Sequence, residues 1–157
     1  MTPDDLARLV DDYRAGIEAE LQLLHQLQTV ARTQHDVTRT GDYEAFGTVA
    51  GRRDEIMRSL VMIEEGLRAV RQTLGEHRAV VSRIEGFEDV AALHREAGRL
   101  VNTILATDQA SMSALADAEM ARRSALASLE RGEATLAAYR RVLTPPVANA
   151  TLVDRRG

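Results

Sequence analysis

The histidines are the first candidates for chemistry in this chain, because a histidine can bind a metal ion or act as a general base. The four histidines are His25, His35, His77 and His94. No two of them are four residues apart, and none completes Glu-x-x-His, the spacing with which helical bundles hold a di-iron centre. His77 falls on an apolar helix seam, where a hydrogen-bonded core histidine is the more common outcome. We therefore expect no metal and no cofactor.

Nucleophilic catalysis has equally little support. Cysteine is absent, which excludes disulfides, thiolate chemistry and cysteine-type zinc sites. The serines lie within helical patterns and have no histidine–aspartate partner in evident reach. No glycine-rich loop lies between a strand and a helix, so a phosphate cradle has no structural context. The sequence therefore predicts a protein that is not an enzyme.

Charge and hydropathy exclude two further classes of function. The net charge is −4 with both signs interspersed, whereas a nucleic-acid binder shows a basic face or stripe. No run of about 18 apolar residues is present, so we expect no membrane insertion. The first residues have neither the basic nor the apolar region of a signal peptide. A cytoplasmic protein is the resulting expectation.

The elements that carry these residues are helices. Proline occurs only at positions 3, 145 and 146, so nothing between them forbids a helix interior. Aromatic residues make up only 3% of the chain, which predicts a core of aliphatic side chains, as in helix–helix seams. We predict an all-α fold, an elongated antiparallel bundle or coiled coil of three long helices. Residues 1–143 form one domain in this prediction, and residues 144–157 form a flexible tail.

Capping residues give the helix boundaries. Thr2 is placed to cap the first helix and Gly41 to end it in the left-handed conformation. Asp42 follows directly and is placed to cap the second helix, so a tight antiparallel hairpin is expected. The apolar seam of the second helix repeats in steps of three and four over residues 56–84. Because the seam continues through Gly75, we predict that this helix ends only at Gly86.

The third helical stretch, residues 87–143, has a discontinuous seam. The pattern is regular as far as Ile104 and recovers at Leu126. Between them, positions that the pattern requires to be apolar are occupied by Asp108, Ser111, Glu119 and Arg122. We expect either a break or kink near residues 107–108, or a C-terminal half that extends beyond the hairpin.

Apolar residues within and after this weak seam predict a partner-binding surface. Methionine is adaptable and is over-used at surfaces that accept varied partners, although core filling is its more common role. The proposed binding residues are Met112, Leu115, Met120, Leu126, Leu129, Leu136 and Tyr139. A second expectation concerns Gly47 and Gly51, whose four-residue spacing indicates close approach of a neighbouring backbone.

Two segments of the chain carry a pattern of their own. The first is residues 40–46, Thr-Gly-Asp-Tyr-Glu-Ala-Phe, followed by Arg-Arg-Asp-Glu-Ile at residues 52–56 and by Leu60. The second runs from Ile104 through Ser-Ala-Leu-Ala-Ser-Leu-Glu-Arg-Gly at residues 124–132 to Tyr139. Together these segments resemble the flagellar type III export chaperones of the FlgN/FliT-like family. The closing residues 152–157 are similar to tails of some members. The polar residues at 108, 111 and 122 depart from the pattern, either as a partner site or through divergence.

The resemblance implies a cytoplasmic chaperone with no cofactor. It would bind the C-terminal amphipathic helix of hook–filament junction proteins, prevent their early assembly and deliver them to the export apparatus. Two alternatives remain open. One is a self-associating coiled-coil scaffold, a homo-oligomer without a client, which the regular seam of the second helix supports equally well. The other is a sensory or metal-binding bundle, which requires polar ligands that face inward.

Overall fold

The computed structural model describes the backbone of residues 1–143 and the side chains of residues 1–141. The predicted tail, residues 144–157, lies outside the described residues. The described part consists of four helices and contains no strand: α1 (Pro3–Thr40), α2 (Tyr43–Glu76), α3 (Arg78–Val81) and α4 (Phe87–Leu143). The prediction of an all-α bundle of long helices is confirmed.

Local hydrogen bonds cap both ends of α1 and the start of α2. The Thr2 hydroxyl accepts the Asp5 backbone N–H at 3.2 Å, and the Asp5 carboxylate accepts the Thr2 N–H at 3.0 Å, which completes a capping box. Gly41 adopts φ 73° and donates its N–H to the Val37 carbonyl at 3.2 Å. Asp42 then accepts the Ala45 N–H at 3.0 Å. The predicted caps are therefore confirmed.

The predicted end of the second helix is wrong by ten residues. Helix α2 ends at Glu76, where His77 leaves the helical conformation with φ −110° and ψ 24°. Gly75 weakens the last turn, and the His77 ring nitrogen Nδ1 lies 3.0 Å from the Thr73 carbonyl. The short helix α3 follows and still buries Val81, which is 1% exposed. The apolar repeat therefore continued although the helix did not, and Gly86, with φ 89°, belongs to the turn before α4.

Helix α4 is continuous through residues 107–108, so the predicted break is absent. The Asp108 carboxylate receives two hydrogen bonds from the Arg53 guanidinium, at 2.6 and 2.5 Å. Both side chains are only 22% exposed. A polar residue at a seam position is therefore accommodated by an ion pair between α2 and α4, and the helix has no reason to break there.

The chain divides into two compact units, which we call unit 1 (Met1–Leu115) and unit 2 (from Ala116 onward). The apolar core lies in unit 1, with α1 as its principal contributor. Its buried residues are Leu6, Val10, Tyr13, Ile17, Leu21, Leu24, Leu27, Val30 and Ala31 of α1; Ile56, Leu67 and Leu74 of α2; Val81 of α3; and Val90, Leu100 and Ile104 of α4. The prediction of a single domain over residues 1–143 stays a prediction.

Candidate functional site

All seven residues predicted to bind a partner are exposed on α4. Their exposed fractions run from 37% at Leu115 to 71% at Leu129. Met112 and Leu115 belong to unit 1, and the other five belong to unit 2. Leu126, Leu129 and Leu136 follow helical spacing and share one side of the helix, whereas Met120 lies on another side and Tyr139 at the edge. The three leucines therefore form an apolar stripe.

Unit 2 has no buried side chain among its described residues, 116–141. Most helical stability in proteins comes from packing an apolar face, because isolated helices are marginal in water. A helix of this length with exposed leucines on one side therefore gains stability when another surface covers that side.

Two exposed apolar residues of α4 were missed by the sequence analysis. Leu105 is 58% exposed and Val101 is 41% exposed. The pattern up to Ile104 was assigned entirely to the intramolecular seam, so the neighbouring positions were not considered. Their spacing contained a signal, because Leu105 lies seven residues before Met112 and so on the same side of the helix.

The polar residues that interrupt the α4 seam have partners within the chain. Asp108 pairs with Arg53, as described above, and the Ser111 hydroxyl lies 3.2 Å from Nδ1 of His35 on α1. On the surface, Glu119 accepts hydrogen bonds from Arg122 and Arg123 at 2.8 and 3.1 Å. Arg122 is the principal reason that the pKa of Glu119 is lowered to about 2. Asp108 and Ser111 are therefore structural contacts within unit 1.

A cavity that the sequence did not reveal lies in unit 1 between α1, α2 and α4. Its volume is about 780 Å³, and most of its lining is apolar, including Leu24, Leu60 and Val101. Ionisable groups from all three helices also line it: Glu20, Glu64, Glu65, Arg68, Arg71 and His94.

Glu20 is the unusual member of this cavity, because it is 9% exposed and its Oε1 atom has no hydrogen-bond partner. Burial, together with hydrogen bonding to Glu64, raises the pKa of Glu20 to about 7. The Arg71 guanidinium, hydrogen-bonded to Glu64 at 3.0 Å and to the Tyr13 hydroxyl at 3.1 Å, holds the pKa of Glu64 near 2. Between these two pKa values the pair therefore carries one proton, held mainly by Glu20, and one negative charge, held mainly by Glu64.

The histidine that was predicted to lie on an apolar seam, His77, has a structural role. His77 is half-buried and its ring contacts a helix carbonyl, as expected for a seam position. No cluster of three or more potential metal ligands occurs among residues 1–141.

The expectation for Gly47 and Gly51 is wrong, since nothing lies within 4 Å of a Cβ placed at either. The close contact occurs at Gly16 and involves a side chain instead of a backbone, because a Cβ there would lie 2.5 Å from Cδ2 of Leu67.

Comparisons with known proteins identify no relative. No family model, no curated protein and no solved structure matches this chain. None of the helices within the described residues is both long and apolar enough to cross a membrane.

Proposed function

We propose that this protein is a chaperone that binds an amphipathic helix of a client protein along the exposed side of α4. One observation carries the proposal: in unit 2, α4 keeps Leu126, Leu129 and Leu136 exposed on one side of the helix. Exposed apolar surface of this kind is typical of protein-interaction sites.

The sequence resemblance extends this proposal to flagellar export. In that reading the protein acts in the cytoplasm and its client is the C-terminal helical region of a hook–filament junction protein. The chaperone keeps that region from assembling early and passes it to the export apparatus. No cofactor and no turnover are required, because the whole function consists of binding and release.

Helix-in-groove recognition supplies the physical mechanism. An amphipathic client helix places its apolar side chains on Leu126, Leu129 and their neighbours. Each fully buried leucine contributes about 1.5–3 kcal/mol, whereas ordering a disordered client segment costs about 2–5 kcal/mol or more. The ordering cost offsets part of the apolar contribution, which keeps the complex releasable.

Peptide titration tests the proposal. The C-terminal peptides of hook–filament junction proteins are titrated into the wild-type protein and into Leu126→Asp by calorimetry. The substitution removes a leucine contact and places a carboxylate in an apolar interface, so binding should weaken by about 2 kcal/mol, roughly thirtyfold.

Ser124→Asp is the matched control. Ser124 is exposed on the same helix and, two residues away, lies on the opposite side from Leu126. This variant introduces the same charge and should bind the peptide as the wild type does. Equal binding by wild type and Leu126→Asp would refute the proposed site, and a lack of peptide binding by the wild type would refute this class of client.

The alternative, a scaffold without a client, now has less support from the α2 seam. Ile56, Leu67 and Leu74 of that seam are buried in the core of unit 1. They are therefore engaged within the chain, and any self-association would use another surface.

A further inference from the structure

The cavity of unit 1 has the size and the lining of a small-molecule site. Its volume of about 780 Å³ lies within the range of about 300–1,000 Å³ that is typical of ligand pockets. Ile17 and Leu24 of α1 and Leu60 of α2 line it with buried or half-buried apolar side chains. Val61 of α2 and Val101 of α4 are exposed members of the lining, so the cavity is open to solvent on their side.

One acceptor in this lining has no donor. The Glu20 side chain belongs to a residue that is only 9% exposed, and its Oε1 atom has no hydrogen-bond partner. A buried polar atom without a partner is unfavourable, and a ligand that brings a hydrogen-bond donor to it removes that cost. The lining therefore matches a ligand that carries a donor beside an apolar body.

The charges around Glu20 favour a cationic donor over a neutral or an anionic one. Arg71 of α2 directs both of its terminal nitrogens to Glu64, so these two residues neutralise each other. Glu65 and Arg68, also on α2, are exposed and opposite in charge. Ionised Glu20 therefore leaves the lining with a net negative charge, and a hydrogen bond from a cation to a carboxylate is stronger than one from a neutral group.

We propose that this cavity binds a small primary amine, an alkylammonium ion whose ammonium donates to the Glu20 carboxylate and whose apolar body lies against Leu24, Leu60 and Val101. A primary ammonium has three N–H donors, so it can donate to Glu64 as well. On binding, Glu20 loses its proton to solvent and the ammonium takes the place of that proton. The inference concerns unit 1 and does not depend on the chaperone function, which rests on residues of unit 2.

Proton release makes the affinity dependent on pH. Because the pKa of Glu20 is raised to about 7, this carboxyl is mostly protonated at pH 6 and mostly ionised at pH 8. An alkylammonium ion, like a lysine side chain, keeps its charge over this range. The affinity should therefore rise about tenfold between pH 6 and pH 8. A histidine can also change its charge in this range, so His94 of α4, which lines the cavity, requires its own control.

NMR titration of the isotope-labelled protein at pH 8 tests the head group. Hexylamine, hexanol and hexanoate have the same apolar body, and hexylamine should bind at least about tenfold more tightly than the other two. Equal binding of hexylamine and hexanol, a preference for hexanoate, or no resonance change in the lining residues up to about 50 mM hexylamine would overturn the proposal. Nα-acetyl-lysinamide presents the same ammonium on a peptide-like body. Tighter binding of this probe than of hexylamine would assign the cavity to a lysine of a partner protein and would equally overturn it.

Three variants locate the acceptor. Glu20→Gln should weaken hexylamine binding at pH 8 by about tenfold or more and should abolish its dependence on pH. Glu65→Gln, the matched control in the same lining, should change the affinity by no more than about twofold, as expected for a solvated charge. His94→Gln should retain most of the dependence on pH. Unchanged binding by Glu20→Gln, or loss of the pH dependence in His94→Gln instead, contradicts the assignment to Glu20.

The side-chain carboxyl carbon of Glu20 reports the proton displacement directly. Its chemical shift is followed by NMR as the pH is changed, first without and then with hexylamine. The amine stabilises the ionised carboxylate, so the midpoint of this titration should move to lower pH, whereas hexanol should leave it in place. A midpoint that hexylamine does not move would show that the amine does not bind at Glu20.

Discussion

The stability of unit 1 should depend on the protonation of Glu20, and Glu20→Gln isolates that dependence. The pKa of Glu20 is raised from 4.5 to about 7 by burial and by the neighbouring Glu64. Below pH 4.5 the group is protonated in both the folded and the unfolded chain, so it imposes no penalty. As the pH rises toward 7 the unfolded chain ionises first, and stability is lost because the folded protein must retain a proton or bury a charge.

The size of this effect follows from the displacement of the pKa. A change from 4.5 to about 7 corresponds to about 3 kcal/mol of lost stability above pH 7, as an upper limit. Glutamine has the shape of the protonated acid and its amide can donate to Glu64, so the variant avoids the penalty. We expect Glu20→Gln to match the wild type at pH 4.5 and to be more stable by about 1–3 kcal/mol at pH 8.

Urea denaturation followed by circular dichroism, repeated between pH 4.5 and 8, measures the difference. Glu65→Gln is the matched control, because Glu65 lines the same cavity but is exposed. Its effect should stay within about 0.5 kcal/mol at every pH. A stability difference between Glu20→Gln and wild type that does not change with pH would refute the reasoning.

Two further predictions concern packing and the α2–α4 ion pair. Gly16→Ala should lower the free energy of unfolding by about 1–3 kcal/mol, because the added methyl group meets the Leu67 side chain. Gly98 has open space around it, so Gly98→Ala should be neutral or should stabilise the protein by up to about 1 kcal/mol. Thermal unfolding measures both, and a stabilised Gly16→Ala would contradict the observed contact. Asp108→Asn should lower the free energy of unfolding by about 1–2 kcal/mol, because it leaves the half-buried Arg53 without its carboxylate partner. Glu18→Gln removes the exposed ion pair with Arg14 and should lower the free energy of unfolding by less than about 0.5 kcal/mol. If chemical denaturation gives similar losses of unfolding free energy for the two variants, the half-buried Arg53–Asp108 pair stabilises the protein no more than an exposed pair does.

The amino-acid sequence alone determined the features that depend on near neighbours. Thr2 with Asp5, Gly41 and Asp42 act within a few residues of their own position, so the helix ends that they make were predictable. Seven exposed apolar residues between positions 112 and 139 of α4 were also identifiable, because polar residues interrupt the seam there, whereas Val101 and Leu105 were missed. The end of α2 was not, since the buried Val81 kept the apolar repeat in phase after the helix had stopped.

Only the tertiary structure decided what the isolated polar residues and glycines do. Asp108 interrupts a seam in the sequence, but its partner Arg53 lies on a different helix. Glu20 is one polar residue among many in α1, and nothing near it in sequence indicates that α2 and α4 bury it. A side chain at position 16 would collide with Leu67 of α2, whereas a Cβ at Gly47 would have no neighbour within 4 Å. These roles depend on which helix packs against each residue, and local sequence patterns do not predict that packing.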